Sequence, residues 1–124
     1  MKQATLLKSI HKYFKNYDNV QFDTNASINF NGPFISLKYM PQKNTKNLYG
    51  IKDIKKTKGV LRIFIYEENP TKCLEKMDNL VADLDQKTKE GVLYTLGNSF
   101  QSCQRYNNSE LFETFLDFNV CLTI

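Results

Sequence analysis

Few side chains in this sequence have the type and spacing that catalysis needs. His11 is the single histidine, and the thiols are Cys73, Cys103 and Cys121. A Cys–His nucleophile would require the fold to carry His11 to Cys73 or Cys103, because neither stands near it along the chain. Three cysteines without a CxxC spacing make no disulfide framework, and one histidine leaves no zinc pattern. Glu67 and Glu68 are adjacent, but neighbours on a strand point to opposite faces and make no acid–base pair. Asp78, Asp83 and Asp85 fall on the polar side of a helical pattern and read as solvated charge. No Gly-rich phosphate loop, Walker or Rossmann pattern occurs. The expectation is a protein that is not an enzyme and holds no metal or cofactor.

Charge offers a second kind of chemistry. Residues 41–58 carry Lys43, Lys46, Lys52, Lys55, Lys56 and Lys58 against Asp53 alone. The whole chain is +4, so the remainder is slightly acidic. Six ammonium groups could neutralise phosphates in a salt-dependent, sequence-independent way, and Tyr49 could stack on a base. That would make the chain a small nucleic-acid-binding α+β module. Against this, the run has no arginine, no recognition helix is evident, and nucleic-acid domains usually have a broader basic face. The other reading is a solvated hairpin tip whose lysines keep sheet edges from pairing. With only Leu48, Ile51 and Ile54 as apolar anchors, a mobile basic loop is expected at about 41–58.

These groups must be positioned by one domain, since 124 residues that are 41% hydrophobic support one core. Residues 3–16 show an amphipathic helical spacing in Leu6, Leu7, Ile10 and Phe14, with His11 beside the stripe as a boundary residue. Val20–Phe22 is a short strand, and Ile28 and Phe30 mark a small edge strand in a turn-rich connection. Phe34–Met40 alternates Ile35, Leu37 and Tyr39 against Ser36 and Lys38, and Pro41 closes it. Gly59–Glu67 has large groups on both faces and should be central. Leu61, Ile63 and Ile65 share one face; Val60, Arg62, Phe64 and Tyr66 share the other. That second face is either an oligomer contact or a seat for the N-terminal helix. Residues 70–88 form the best helix, with Asn69 as N-cap and Pro70 in the first turn. Val92–Leu96 and Phe100–Tyr106 read as strands separated by a turn at Gly97–Asn98, with a second turn at Asn107–Ser109.

The longest signal is the carboxyl end, Leu111–Ile124. Phe112, Leu116, Phe118, Val120, Leu122 and Ile124 alternate with a more polar set, so this is one long strand or two joined by a bulge near Thr114. A single strand of that length has an overhang to offer another subunit. Taken together, the elements predict an α+β domain of two layers. Its sheet is mainly antiparallel, with an N-terminal helix and one long helix, about 70–88, packed on one face. MKQATLLKSIHKYF has no uninterrupted apolar run, and no segment approaches the ~20 apolar residues of a membrane span. The expectation is a soluble protein, not membrane-bound, working in a reducing compartment inside a cell.

This order of elements resembles the tail-terminator, or tail-completion, proteins of long-tailed bacteriophages and prophages. The stretches that carry the likeness are the N-terminal helix ATLLKSIHKYF, the strand GVLRIFIYEENP leading into the helix CLEKMDNLVADL, and the alternating strand LFETFLDFNVCLTI. The resemblance implies a structural minor tail protein without enzymatic activity. It would assemble with copies of itself into a ring, typically a hexamer, that caps the tail tube and docks the head connector. It would reside in the host cytoplasm during assembly and then in the virion tail. Ring contacts are heterologous, and Val60, Arg62, Phe64 and Tyr66, with Phe115 and Cys121 on the terminal strand, are the candidate subunit interface. The lysine loop would face an acidic partner ring or the passing DNA. Tryptophan is absent near the start of the last strand, where Phe112 and Phe115 stand instead.

Overall fold

The computed structural model describes residues 2–22, 32–42, 57–105 and 110–123, with side chains outside 98–105. Eight elements follow one another in these residues. They are α1 (Lys2–Phe14), β1 (Val20–Phe22), β2 (Phe34–Pro41), β3 (Lys58–Glu67), α2 (Pro70–Leu84), β4 (Lys87–Lys89), β5 (Val92–Arg105) and β6 (Phe112–Leu122). The strands form one sheet in the order β1-β2-β3-β6-β5-β4. Every neighbour pair is antiparallel except β1–β2. This is the expected α+β fold.

Each helix forms because one of its faces is wanted by the sheet. On α1, Leu6, Ile10 and Phe14 recur every four residues and are all buried. On α2, Cys73, Met77, Leu80 and Leu84 recur every three or four residues and are buried as well. The Asn69 side chain caps α2 by accepting from the Lys72 N–H at 2.8 Å, a contact typically worth about 1 kcal/mol. Pro70 follows it at the first helical position, where no amide partner is lost. Both stripes meet one sheet face made of Ile35 and Leu37, Leu61, Ile63 and Ile65, Leu116, Phe118, Val120 and Leu122, and Val92 and Tyr94. The two helices therefore share a single core.

Several sequence expectations change in detail. Helix α2 stops at Leu84 and does not reach 88. Asp85 is already extended and Gln86 takes a φ of 60°, after which Lys87–Lys89 pairs with Val92–Tyr94. The polar segment DQKTKE thus makes a hairpin, which its lack of apolar alternation concealed. Gly97 and Asn98 do not turn the chain, because β5 runs through them. The pairing with β6 gains an extra residue on β5 between Leu96 and Ser99, and slips again between Phe100 and Gln104. A Cβ at Gly97 would lie 3.3 Å from the Asp117 carbonyl oxygen. Glycine serves a close approach of β6 here, not a reversal.

Strand β6 is unbroken. Its register with β3 runs without a shift from Lys58↔Cys121 to Glu67↔Phe112, so no bulge occurs at Thr114. It also has no free overhang, being flanked by β3 and β5. The overhang belongs to β5, of which β4 covers only Val92–Tyr94. The expected strand at Ile28 and Phe30 and the turn at Asn107–Ser109 lie outside the described residues.

Candidate functional site

Alternation on the two central strands decides the site. With Leu61, Ile63 and Ile65 turned to the helices, Val60, Arg62, Phe64 and Tyr66 must point the other way. The same parity on β6 sends Glu113, Phe115, Asp117, Asn119 and Cys121 to that side. Among the described residues no helix lies on this face, so of its two readings the seat for α1 is excluded. Leu6, Ile10 and Phe14 of α1 are spent on the opposite core.

The register fixes which side chains meet. Arg62 stands opposite Asp117, and Phe64 opposite Phe115. Arg62 Nε donates to Asp117 Oδ1 at 2.8 Å and Nη2 donates to Oδ2 at 3.1 Å, a two-pronged ion pair. Its carboxylate holds the guanidinium above its already high ordinary pKa. The guanidinium carbon also lies 4.3 Å from the Phe115 ring centre, within cation–π range. Phe115 and Phe64 are 5.8 Å apart at a 50° tilt. The middle of the face is thus a compact unit of one cation, one anion and two rings.

Exposure divides the face. Val60, Arg62, Phe64, Leu93, Phe115 and Cys121 are half-buried. Tyr66 is buried at 6% exposure, and its ring stacks on Phe34 with centres 4.3 Å apart and planes 15° apart. Tyr66 therefore braces the face and offers little area to a partner. Cys121 lies at the far end, with Sγ donating to the Leu122 carbonyl. Sequence reasoning had missed Asp117 and Phe34. Only the register, read from the paired strands, shows that Arg62 has a partner.

The other candidates separate. Cys73 is buried, and its Sγ donates to the Phe112 carbonyl at 3.4 Å, as a small core residue does. His11 packs its ring on Phe22, centres 4.5 Å apart. Cys103 and the lysines Lys43, Lys46, Lys52, Lys55 and Lys56 lie outside the described side chains. Lys58 is exposed and shares the face of Val60, opposite Cys121. Among the described residues no cluster of His, Cys, Asp or Glu could hold a metal ion, and no helix is long and apolar enough to cross a membrane.

No protein-family model matches this sequence, and no curated protein does. Three solved chains match it. One of them is 13% identical, with a TM-score of 0.61 over 97% of this chain and 96% of that one. At that identity the likeness concerns the fold.

Proposed function

We propose that this chain is a structural phage or prophage tail protein that forms a ring capping the tail tube and docks the head connector. The observation that supports it is the strip of Arg62, Phe64 and Phe115, half-buried on the two central strands and turned away from both helices. Arginine and aromatic rings are the residue types enriched where proteins bind one another. The outermost strands β1 and β4 are less inviting for the same purpose, although β5 leaves its edge beyond β4 uncovered among the described residues. β1 and β4 are three residues each, and β4 carries Lys87 and Lys89. Asp85 Oδ1 already accepts the Leu96 N–H just beyond β4. Short, charged or capped edges resist strand pairing. A face on one subunit that meets a different surface on the next generates a closed ring when the rotation closes. The ring forms in the host cytoplasm and stays with the virion tail.

Sedimentation velocity over a concentration series, alone and with purified tail tubes, tests this. The wild type is expected to associate in at least one of the two, and Phe64→Glu and Phe115→Glu to abolish association with unchanged circular dichroism. A wild type monomeric under both conditions removes the reading. DNA binding with a steep salt slope, lost on changing Lys55, Lys56 and Lys58 to Ala, would favour the nucleic-acid module in its place.

A further inference from the structure

The outer border of β5 is the longest uncovered strand edge among the described residues. β6 pairs with β5 as far as Arg105, but on the other side β4 covers only Val92–Tyr94. Thr95–Arg105 therefore has no flanking strand there among the described residues. Backbone groups turn outward along this border. The Tyr94 carbonyl accepts from the Gln86 N–H, and the next outward group, the Leu96 N–H, donates to Asp85 Oδ1 at 2.9 Å. Natural edges are guarded by shortness, lysine, proline or bulges. β4 is short and carries Lys87 and Lys89. Thr95–Gln104, in contrast, has no proline and no charged residue in a chain that is 24% charged. Its register slips against β6 are its only guard. Such a border favours an added strand.

The stretch itself names that strand. Phe100 is the midpoint of Thr95–Arg105. Two copies related by a two-fold axis at Phe100 fill each other's uncovered border, and β4 of each copy meets the end of the other's β5. In that register no like charges stand opposite one another, because Arg105 faces Thr95 of the second copy. Leu96, turned outward, stands opposite Phe118, and Ser99 stands opposite Leu116 two residues on, so Ser99 is turned outward as well. Ser99 then forms a hydrogen-bonded pair with Gln101 of the second copy, and Phe100 forms the closer, non-hydrogen-bonded pair with its own counterpart. Phe100 also stands opposite Phe115, which stands opposite Phe64. The two-fold thus continues one register row of phenylalanines across both copies, and aromatic cross-strand pairs stabilise a sheet.

We propose that two copies of this chain pair antiparallel through Thr95–Arg105 of β5, about a two-fold axis at Phe100. Such an isologous contact closes at two copies and does not run on into a fibre. It uses an edge and not the Arg62 strip, so it stands or falls independently of the assembly reading. One strand pair is a small contact, and its dissociation constant is expected on the order of 0.1 mM.

Translational diffusion by NMR, up to millimolar concentration, tests this in the Phe64→Glu protein, whose substitution disables the face two strands away. Diffusion is expected to slow toward the dimer value as concentration rises, and the Ser99 and Gln101 amides to gain protection from exchange. Asn98 and Ser102 lie two residues either side of Phe100 and face each other between copies in this register. Asn98→Lys with Ser102→Lys should weaken pairing about tenfold, because like charges then stand opposite. Asn98→Lys with Ser102→Glu should restore it. A protein that stays monomeric at millimolar concentration overturns the proposal. So does a folded two-lysine variant that pairs as well as its parent, or a lysine–glutamate variant that pairs no better than the two-lysine one.

Discussion

Arg62 and Asp117 sit directly across from each other on β3 and β6, and the guanidinium holds both carboxylate oxygens at 2.8 and 3.1 Å. The pair is lopsided in its solvation: the Asp117 side chain is 10% exposed and that of Arg62 33%. Removing the arginine would strand a nearly dry carboxylate, whereas removing both charges would strand nothing. Arg62→Met is therefore expected to cost about 2–3 kcal/mol in urea unfolding, below the ~3–5 of a fully buried pair. The double change to Arg62→Met with Asp117→Leu should recover most of that loss. If the two single changes simply add, the pair is not coupled.

Tyr94 is fully buried in the aromatic group of Tyr13, Phe14 and Phe118. Among the described residues its hydroxyl has no hydrogen-bond partner, and burial raises its pKa further above the ordinary 10. A desolvated, unsatisfied hydroxyl costs about 1–3 kcal/mol. Tyr94→Phe should raise the thermal midpoint, and a clear fall would reveal a partner for that oxygen.

Glu67 closes β3, and burial raises its pKa above the ordinary 4.5 despite the opposing charges of Lys76 and Lys72. A carboxyl raised on folding binds more protons in the native state than in the unfolded one. Its contribution is favourable below the ordinary value and is lost as pH rises through the raised one. Glu67→Gln should thus be more stable than wild type at pH 7, with the difference shrinking in mild acid. A difference that does not change with pH would show that charge is not its cause.

Gly59 lets the Tyr39 ring lie against the strand pair, since an added Cβ would meet three of its atoms at 2.5 to 2.7 Å. Alanine is normally preferred to glycine in a strand, by roughly 0.5–1 kcal/mol. Here Gly59→Ala should instead destabilise by about 1 kcal/mol, because the ring must swing off Gln3. Adding Tyr39→Leu should restore the ordinary preference, which calorimetry on the two variants would check.

Most of the fold was legible because most of its elements have a clean period. Leu61, Ile63 and Ile65 announce a strand face, and Cys73, Met77, Leu80 and Leu84 a helix stripe. Gly97 misled because glycine marks both turns and close approaches, and only the position of Asp117 distinguishes them. β4 was invisible because Lys87, Thr88 and Lys89 pair through backbone alone. The candidate face was legible in its membership but not in its wiring. Alternation groups Arg62 with Phe64, yet it is the cross-strand register that gives Arg62 to Asp117 and buries Tyr66 under Phe34.

The position of β6 has a bearing on how the chain matures. It is synthesised after all its sheet partners, yet it is inserted between β3 and β5. Before it is made, β3 and β5 each lack a strand on the side that faces the other, and no seam joins them. Those borders are where a chaperone would be needed, and a translation stop before Phe112 would leave them permanently unsewn.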